Sequence, residues 1–404
     1  MSTIANFDDF AARLRQFIGA SARGGQAPAS LHTEFDRLAL DLFALQFEHN
    51  ALYGRVCKAR GITPQSVEHW SRVPAMPTSA FKEMELSCLP PAERRAVFYS
   101  SGTTQGLSSR HFHNHVSLAL YEASLLPWFE THLLGHRVSR GTTIPNAAAG
   151  FIRMLALTPK AAAAPHSSLV HMFEVVAREF GLANSAFVGT VSADGSWDLD
   201  VGAAITVLED ACVAGEPLAI LGTAFSFVHL LDALAERKMH LELPSGSRAL
   251  ETGGYKGRSR ALPKAELHAL ITRKLGIPSR HIVCEYGMSE LSSQAYDRVV
   301  GAPQPSTSST LPTLHAPRHV EAERRRPRSA FLFPPWVRVQ MISAETGREV
   351  AEGGSGLIRV FDLANVYSVM AIQTEDLGIR HGAGFELLGR AALAEPRGCS
   401  LMAT

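Results

Sequence analysis

The chain has 404 residues, and its 39 basic and 38 acidic side chains leave a formal net charge of +1. A balanced charge provides no overall field that would attract nucleic acid or an anionic membrane surface. Hydrophobic residues make up 46% of the chain and charged residues 19%, a composition that supports a buried core and excludes an intrinsically disordered protein. The length predicts roughly two to three domains.

The apolar runs argue against a membrane-spanning protein, and the cysteines argue against one held together by disulfides or a zinc site. The longest apolar run, residues 218–231, is interrupted by polar side chains and is shorter than the ~20 residues that span a bilayer. The first nine residues lack a basic segment followed by an apolar one, so we expect no signal peptide and a cytoplasmic protein. The five cysteines are scattered, which argues against a disulfide framework and a thiolate zinc site.

The predicted elements divide the chain into a helical first part and an α/β remainder. Residues 1–95 carry apolar side chains at helical spacing and predict a helical region. Beyond it, strand-like runs alternate with helical ones, as in the predicted strand over 218–221 and the helix over 225–237. A further strand is predicted over 281–284. Such alternation is typical of an α/β sheet.

The last third of the chain contains a loop and then more strands. Residues 301–329 are rich in Pro, Ser and Thr and then in Arg, and they predict a mobile insertion. Alternating residues over 336–342 and 356–360 predict strands. We therefore expect an α/β core over 96–388, followed by a short C-terminal segment over 389–404.

A loop rich in Ser, Thr and Gly is the strongest local signal. It follows an apolar run and consists of Ser100, Ser101, Gly102, Thr103, Thr104, Gln105 and Gly106. Glycines let the backbone approach a ligand closely, so that successive N–H groups can cradle phosphate oxygens. No Gly-Lys-Ser/Thr sequence follows, which excludes a Walker A loop. Taken alone, the segment is equally well explained as a turn between a strand and a helix.

Three further motifs suit a nucleotide pocket. Residues 285–290 follow a predicted strand, and Tyr286 can stack on a base while Glu290 holds Mg²⁺ through oxygen. A Thr-Glu-Asp run ends at Asp376, whose carboxylate can accept hydrogen bonds from two ribose hydroxyls. A Gly-Arg pair ends at Arg390. The ordinary alternatives are a surface carboxylate or helix cap for Glu290 and a turn residue for Asp376.

In this order, with the glycine pair at 253–254 between them, the motifs resemble the adenylate-forming enzyme superfamily. Within it, the chain resembles the acyl-protein synthetases, the fatty-acid-activating subunit of fatty acid reductases. The resemblance is densest over residues 100–111, 251–258, 285–296 and 333–378. It implies an α/β fold: an acyl-CoA synthetase-like large domain with a helical N-terminal region, in which the C-terminal swinging domain is absent or vestigial.

The resemblance also implies the reaction and its cofactors. A carboxylic acid, expected to be a long-chain fatty acid, attacks ATP in the presence of Mg²⁺ and yields acyl-AMP and pyrophosphate. The acyl group then moves to a cysteine thiol of the synthetase, from which a partner reductase subunit takes it. Two alternatives stay open: an acid ligase that uses coenzyme A or a carrier protein, and a non-catalytic subunit that binds a nucleotide or an acyl chain.

Roles for individual residues follow from the same resemblance. The loop over 100–106 would embrace the β- and γ-phosphates, and Thr103 or Thr104, together with Glu290, would position Mg²⁺. Asp376 would hold the ribose, and Arg390 would lie near the ribose or the α-phosphate. The residues implied in nucleotide binding are Ser100, Ser101, Gly102, Thr103, Thr104, Gly106, Gly253, Gly254, Tyr255, Tyr286, Gly287, Met288, Ser289 and Asp376.

The C-terminal end departs from the larger superfamily. Only the 14 residues 391–404 follow Arg390, so we expect no room for the domain that delivers a lysine to the adenylation step. We expect Lys256, Arg258 or Arg390 to supply the positive charge instead. Cys399 is the expected acyl-accepting nucleophile, with an ordinary thiol in a frayed tail as the alternative.

One histidine pattern remains outside this scheme. His111, His113 and His115 alternate at the period of a strand, which predicts that they share one face. A polar strand face or pocket lining explains them more simply than a metal site, which needs further ligands.

Overall fold

The computed structural model describes residues 4–23, 28–100, 108–135, 151–193, 195–253, 262–302 and 330–391. The helices in these ranges are α1 Phe7–Ala22, α2 Pro28–His49, α3 Ala51–Ala59, α4 Ala80–Glu83, α5 His115–Phe129, α6 Ser168–Phe180, α7 Val201–Ala214, α8 Ala224–Glu236 and α9 Lys264–Leu275. The strands are β1 Met76–Pro77, β2 Ala96–Tyr99, β3 Arg110–His113, β4 Arg153–Ala156, β5 Ala186–Phe187, β6 Gly189–Val191, β7 Trp197–Leu199, β8 Leu218–Thr223, β9 Arg248–Thr252, β10 Ile282–Tyr286, β11 Ala295–Tyr296, β12 Val337–Ile342, β13 Ser355–Asp362, β14 Ala371–His381 and β15 Gly384–Arg390.

A central sheet has the strand order β11-β10-β9-β8-β4-β5. The strands from β10 to β5 run parallel, and β11 is antiparallel to β10. Side chains alternate between the two faces of a strand. In β8, Leu218 and Ile220 pack with α7, α8 and α9, whereas Ala219 and Leu221 pack with α5 and α6. Because helices cover both faces, the carboxyl ends of the parallel strands are the natural place for a site.

A second sheet is built mainly from the end of the described chain. Strands β12, β13, β14 and β15 pair antiparallel in sequence, and β1 joins β14 in parallel. In this pairing Met76 lies opposite Ile372, and Pro77 lies opposite Gln373. The prolines of this segment interrupt the helical pattern of the N-terminal region, and the segment serves as a short strand of a distant sheet.

The N-terminal helices share one hydrophobic core with this second sheet. Buried side chains of α1 and α2, such as Phe10 and Phe43, belong to the same cluster as Val360 and Ile372. Gln46 on α2 donates to the carbonyls of residues 365 and 366 at 2.7 and 3.1 Å and accepts from the N–H of residue 370 at 3.0 Å. These buried hydrogen bonds attach the helices to the loop between β13 and β14.

The elements predicted from the sequence are confirmed to within a residue or two for β8, α8, β10, β12 and β13. The predicted insertion over 301–329 lies outside the described residues except for its first two. The prediction that three histidines share one strand face is wrong. His111 and His113 lie in β3 and are buried, whereas Asn114 caps α5 by accepting from the N–H of Ser117, so the exposed His115 begins a helix.

No helix in the described ranges has both the length and the apolar character that crossing a membrane requires. Within the same ranges, no group of three or more His, Cys, Asp or Glu side chains is arranged to hold a metal ion.

Candidate functional site

A cavity of about 230 Å³ lies at the carboxyl ends of β9 and β10, against β14 and β15. Among its lining residues are many of those that the sequence assigned to a site: Ser100, Gly253, Tyr286, Gly287, Met288, Ser289, Glu290, Asp376 and Arg390. They come from segments far apart in the sequence, and the two sheets bring them to one place. The cavity is therefore the candidate active site.

Glu290 is the most deeply held carboxylate of the cavity. Its side chain is fully buried. Ser109 Oγ donates to Glu290 Oε1 at 2.8 Å, and Ser289 Oγ donates to Oε2 at 3.0 Å. The Glu290 carbonyl accepts from Asn365 Nδ2 at 2.8 Å. The carboxylate thus has a fixed orientation and is not a surface group or a helix cap.

The hairpin of β2 and β3 supports this arrangement. Ser100 follows β2, and its hydroxyl accepts from the N–H of Ser109 at 2.9 Å, while the Ser100 N–H donates to the Ser109 carbonyl at 3.1 Å. Ser100, the first residue of the Ser/Thr/Gly loop, is thereby joined to Ser109, which contacts Glu290. The rest of that loop lies outside the described residues, namely Ser101, Gly102, Thr103, Thr104, Gln105 and Gly106.

Asp376 and Arg390 meet because they are opposite one another on neighbouring strands. β14 and β15 pair so that Asp376 faces Arg390. Arg390 Nε lies 3.5 Å from Asp376 Oδ1, and its Nη2 contacts the Glu375 carboxylate. Tyr286 Oη donates to Asp376 Oδ2 at 2.9 Å. The carboxylate of Asp376 is therefore oriented from both sides at the edge of the cavity.

The ring of Tyr286 is held in an aromatic cluster. Its centroid lies 6.0 Å from that of Phe331, 6.2 Å from Phe333 and 5.2 Å from Phe385. Burial, with the nearby Asp376 charge, raises the pKa of Tyr286 well above 10. Tyr286 is consequently a neutral hydrogen-bond donor with a fixed ring, which suits a residue that flanks a planar ligand.

Several predicted site residues lie outside the described residues, so the structure gives them no position. They are Gly254, Tyr255, Lys256, Arg258 and Cys399. Arg390 is described, and its charge faces Glu375 and Asp376. That pairing makes Arg390 a residue that orients Asp376.

Sequence reasoning missed several polar residues of the site, among them Ser109, Thr252 and Glu285. Ser109 holds Glu290, but its role depends on a hydrogen bond across 181 positions of sequence. Thr252 and Glu285 line the cavity side by side on β9 and β10. A carboxylate at the end of an otherwise apolar strand was a usable signal for Glu285, since isolated charges are seldom buried.

Glu290 fits the ligand chemistry of Mg²⁺. Glu290 lines the cavity, and its carboxylate oxygens are hard ligands of the kind that Mg²⁺ prefers. Mg²⁺ is typically bound through one or two carboxylates together with phosphates and waters, so no larger cluster of protein ligands is needed.

Comparison with known proteins gives a family and a fold. Residues 32–296 match the family described as "Acyl-protein synthetase, LuxE". No sequence among the curated proteins matches significantly. An open conformation of 2-hydroxyisobutyryl-CoA ligase, in complex with 2-HIB-AMP and CoA, is similar with a TM-score of 0.58 at 13% identity, over 92% of this chain and 75% of that chain.

The same ligase in its thioesterification state, with 2-HIB-AMP and CoA, gives a TM-score of 0.56 at 14% identity, over 96% of this chain and 69% of that one. In the postadenylation state, with 2-HIB-AMP, the TM-score is 0.54 at 13% identity, with coverage of 95% and 67%. At this level of identity the likeness concerns the fold. The chain has the adenylate-forming, acyl-CoA synthetase-like α/β fold.

Proposed function

Because the chain belongs to the acyl-protein synthetase, LuxE, family, we propose that it is an ATP-dependent acid–thiol ligase. In the first step, a carboxylate oxygen of the acid bonds to the α-phosphorus of ATP while the bond to the β-phosphate bridge breaks, giving acyl-AMP and pyrophosphate. In the second, a thiolate attacks the acyl carbon and AMP leaves. This proposal rests on the observation that Glu290, Tyr286 and Asp376 line the same cavity.

In this reaction Glu290 has an electrostatic role. Together with Thr104, it would hold Mg²⁺, which offsets the negative charge that develops on the leaving pyrophosphate. The Ser109 and Ser289 hydroxyls fix the carboxylate in advance, so that little reorganisation is needed when the nucleotide binds. Ser100 and the loop that follows it would receive the β- and γ-phosphates through backbone N–H groups and hydroxyls.

Asp376 would bind the ribose hydroxyls, and Tyr286 would flank the adenine. Gly253, Gly254 and Tyr255 would line the nucleotide region, as would Gly287, Met288 and Ser289. The Arg390 guanidinium and the Tyr286 hydroxyl support Asp376 from two sides. Because Arg390 faces two carboxylates, we assign the positive charge at the α-phosphate to Lys256.

The acceptor in our proposal is the thiol of Cys399. A thiol must ionise to attack, and burial opposes ionisation. In the described part of the chain, burial is the largest cause of a raised pKa at every cysteine, namely Cys57, Cys88 (to about 12), Cys212 and Cys284. Cys284 lines the cavity, but repulsion from Glu251 opposes its ionisation further. These four thiols are thus poor nucleophiles, which favours an acceptor elsewhere.

The proposed substrate is a carboxylic acid with an extended acyl chain, as in the fatty acid activation that the family resemblance implies. A partner reductase subunit would then take the acyl group from the thioester. We propose that the reaction takes place in the cytoplasm, where ATP is available. Coenzyme A or a carrier protein is the alternative acceptor, and it would make Cys399 dispensable.

Self-acylation tests the acceptor directly. Cys399→Ser should keep acid-dependent exchange of pyrophosphate into ATP but lose hydroxylamine-labile acylation by radiolabelled acid. Cys284→Ser is the matched control, and it should keep both activities. Labelling that survives in Cys399→Ser would assign the acceptor elsewhere, and free coenzyme A restoring turnover in that variant would favour the alternative ligase.

A further inference from the structure

Thr252 and Glu285 form a polar pair on the wall of the cavity. They are opposite one another on the parallel strands β9 and β10, and both line the cavity. Neither is at the protein surface, since Thr252 is 2% exposed and Glu285 is 6% exposed. A buried polar pair in a ligand cavity needs hydrogen-bond partners, because an unmatched buried donor or acceptor is costly.

Within the described residues, the pair lacks such partners. Thr252 Oγ1 is buried and makes no hydrogen bond there. No described residue donates to or accepts from the Glu285 carboxyl, and its pKa is raised to about 8 by burial and then by repulsion from Glu251. Near neutral pH the carboxyl therefore keeps its proton, so it presents one O–H donor and one C=O acceptor to the cavity.

Gly287 leaves room for the Glu285 carboxyl in the cavity. A Cβ added at Gly287 would be only 2.2 Å from Glu285 Oε1, so the absence of a side chain there makes room for the carboxyl. Gly287 is three residues before Glu290, a separation that spans at most about 11 Å. Glu285 and Glu290 line the same cavity, so a ligand group that meets Glu285 shares that cavity with the proposed phosphate site.

The two faces of β10 separate this pair from the side chains assigned to the nucleotide. Successive strand residues point to opposite faces. Cys284 and Tyr286 share one face, on which Tyr286 contacts Asp376. Leu250 and Val283 lie two residues before Thr252 and Glu285 on the same strands, so all four side chains point to the same face of the sheet. Leu250 and Val283 pack with α5 and α6. The pair thus lies on the opposite face of β10 from Tyr286, and this is the side that the proposal below gives to the acid.

Building on the function proposed above, we propose that Thr252 and Glu285 bind an oxygen substituent near the carboxyl group of the acid. The preferred substrates are then 2- or 3-oxygenated carboxylic acids, with a hydroxyl or keto group, in place of unsubstituted fatty acids. A plain hydrocarbon chain would cover both polar groups without satisfying them. Sites built to hydrogen-bond a substrate hydroxyl reject the analogue that lacks it far more strongly than apolar pockets reject a missing methylene.

The test compares matched acids in pyrophosphate exchange, using decanoic acid and its 2-hydroxy, 3-hydroxy and 3-keto analogues. We expect kcat/KM to favour an oxygenated acid by about 10- to 100-fold in the wild-type protein. Thr252→Val and Glu285→Leu should each remove most of that preference without raising KM for ATP. Glu285→Gln, which keeps a donor and an acceptor, should retain it.

Thr158→Val is the matched control, because Thr158 Oγ1 is also buried and unpartnered within the described residues but is not part of the cavity lining. It should leave the preference unchanged. Equal exchange with plain and oxygenated acids would overturn this inference while supporting adenylation. A raised KM for ATP in Glu285→Leu, with acid preference unchanged, would indicate that Thr252 and Glu285 contact the adenine base of ATP and not the acid. No exchange with any acid would refute the proposed function itself.

Discussion

Replacing Glu285 with glutamine should change how the stability of the protein depends on pH. Burial and the neighbouring Glu251 raise the pKa of Glu285 from 4.5 to about 8. The native state therefore holds a proton that the unfolded chain releases. Stability from this group is complete below pH 4.5 and is lost as pH rises through about 8. A pKa change of 1 corresponds to 1.36 kcal/mol, so the rise from 4.5 to about 8 changes the free energy of unfolding by about 5 kcal/mol in full.

The assay is urea unfolding of wild-type protein and Glu285→Gln at several pH values from 5 to 8.5. Residue 285 is uncharged at every pH in the variant. The free energy of unfolding of the wild-type protein should therefore fall by several kcal/mol relative to that of the variant as the pH rises across this range. The nearby Tyr296 does not contribute, because burial raises its pKa well above 10. Burial lowers the pKa values of three histidines, His111, His113 and His171, but these groups titrate in both proteins and cancel in the difference.

Parallel curves for the two proteins would contradict a raised pKa at Glu285. They would mean that Glu285 is solvated or paired in the native state and is ionised near neutral pH. Its proposed role as a hydrogen-bond donor to the acid would then be lost as well.

Three other substitutions probe the remaining parts of the account. Glu290→Gln should lower acid-dependent pyrophosphate exchange by about 100-fold or more at saturating Mg²⁺, since the amide can accept from one serine hydroxyl and donate to the other but removes the charge; exchange near the wild-type rate would exclude the metal role. Asp376→Asn should raise KM for ATP by about tenfold or more in the same assay, through loss of a charged hydrogen-bond acceptor, and an unchanged KM would remove Asp376 from the nucleotide site. Gln46→Ala should destabilise the protein by about 3 kcal/mol in urea unfolding, because three buried hydrogen bonds are lost; a loss below 1 kcal/mol would show that these bonds do not attach the helices to the second sheet.

Local patterns were sufficient to predict two strands of the central sheet, β8 and β10, and the helix α8. The apolar run of β8 and the helix after it, α8, were predicted because their periodicities differ and the boundary between them is sharp. The short strand β1 was not predicted, since its two residues have no strand pattern of their own. It exists because β14 offers an unpaired edge, which is information from tertiary structure.

Motif order predicted which residues approach one another, but not how each is held. Asp376 and Arg390 were both proposed from short motifs, and the cross-strand register that joins them depends on the β14–β15 hairpin. Ser109 and Glu290 are brought together by the β2–β3 hairpin and the end of β10, which no local spacing reveals. The histidine pattern failed because a single capping residue, Asn114, converted the strand period into the start of a helix.

Acid-dependent exchange of radiolabelled pyrophosphate into ATP is the decisive test of adenylate formation by this protein. The wild-type protein would be assayed with Mg²⁺, without any added thiol acceptor, across plain, oxygenated and aromatic carboxylic acids. The account predicts exchange that requires an acid and Mg²⁺ and that falls sharply in Glu290→Gln. Folded protein that gives no exchange with any acid of the panel would contradict adenylate formation and would favour a subunit that only binds a nucleotide or an acyl chain.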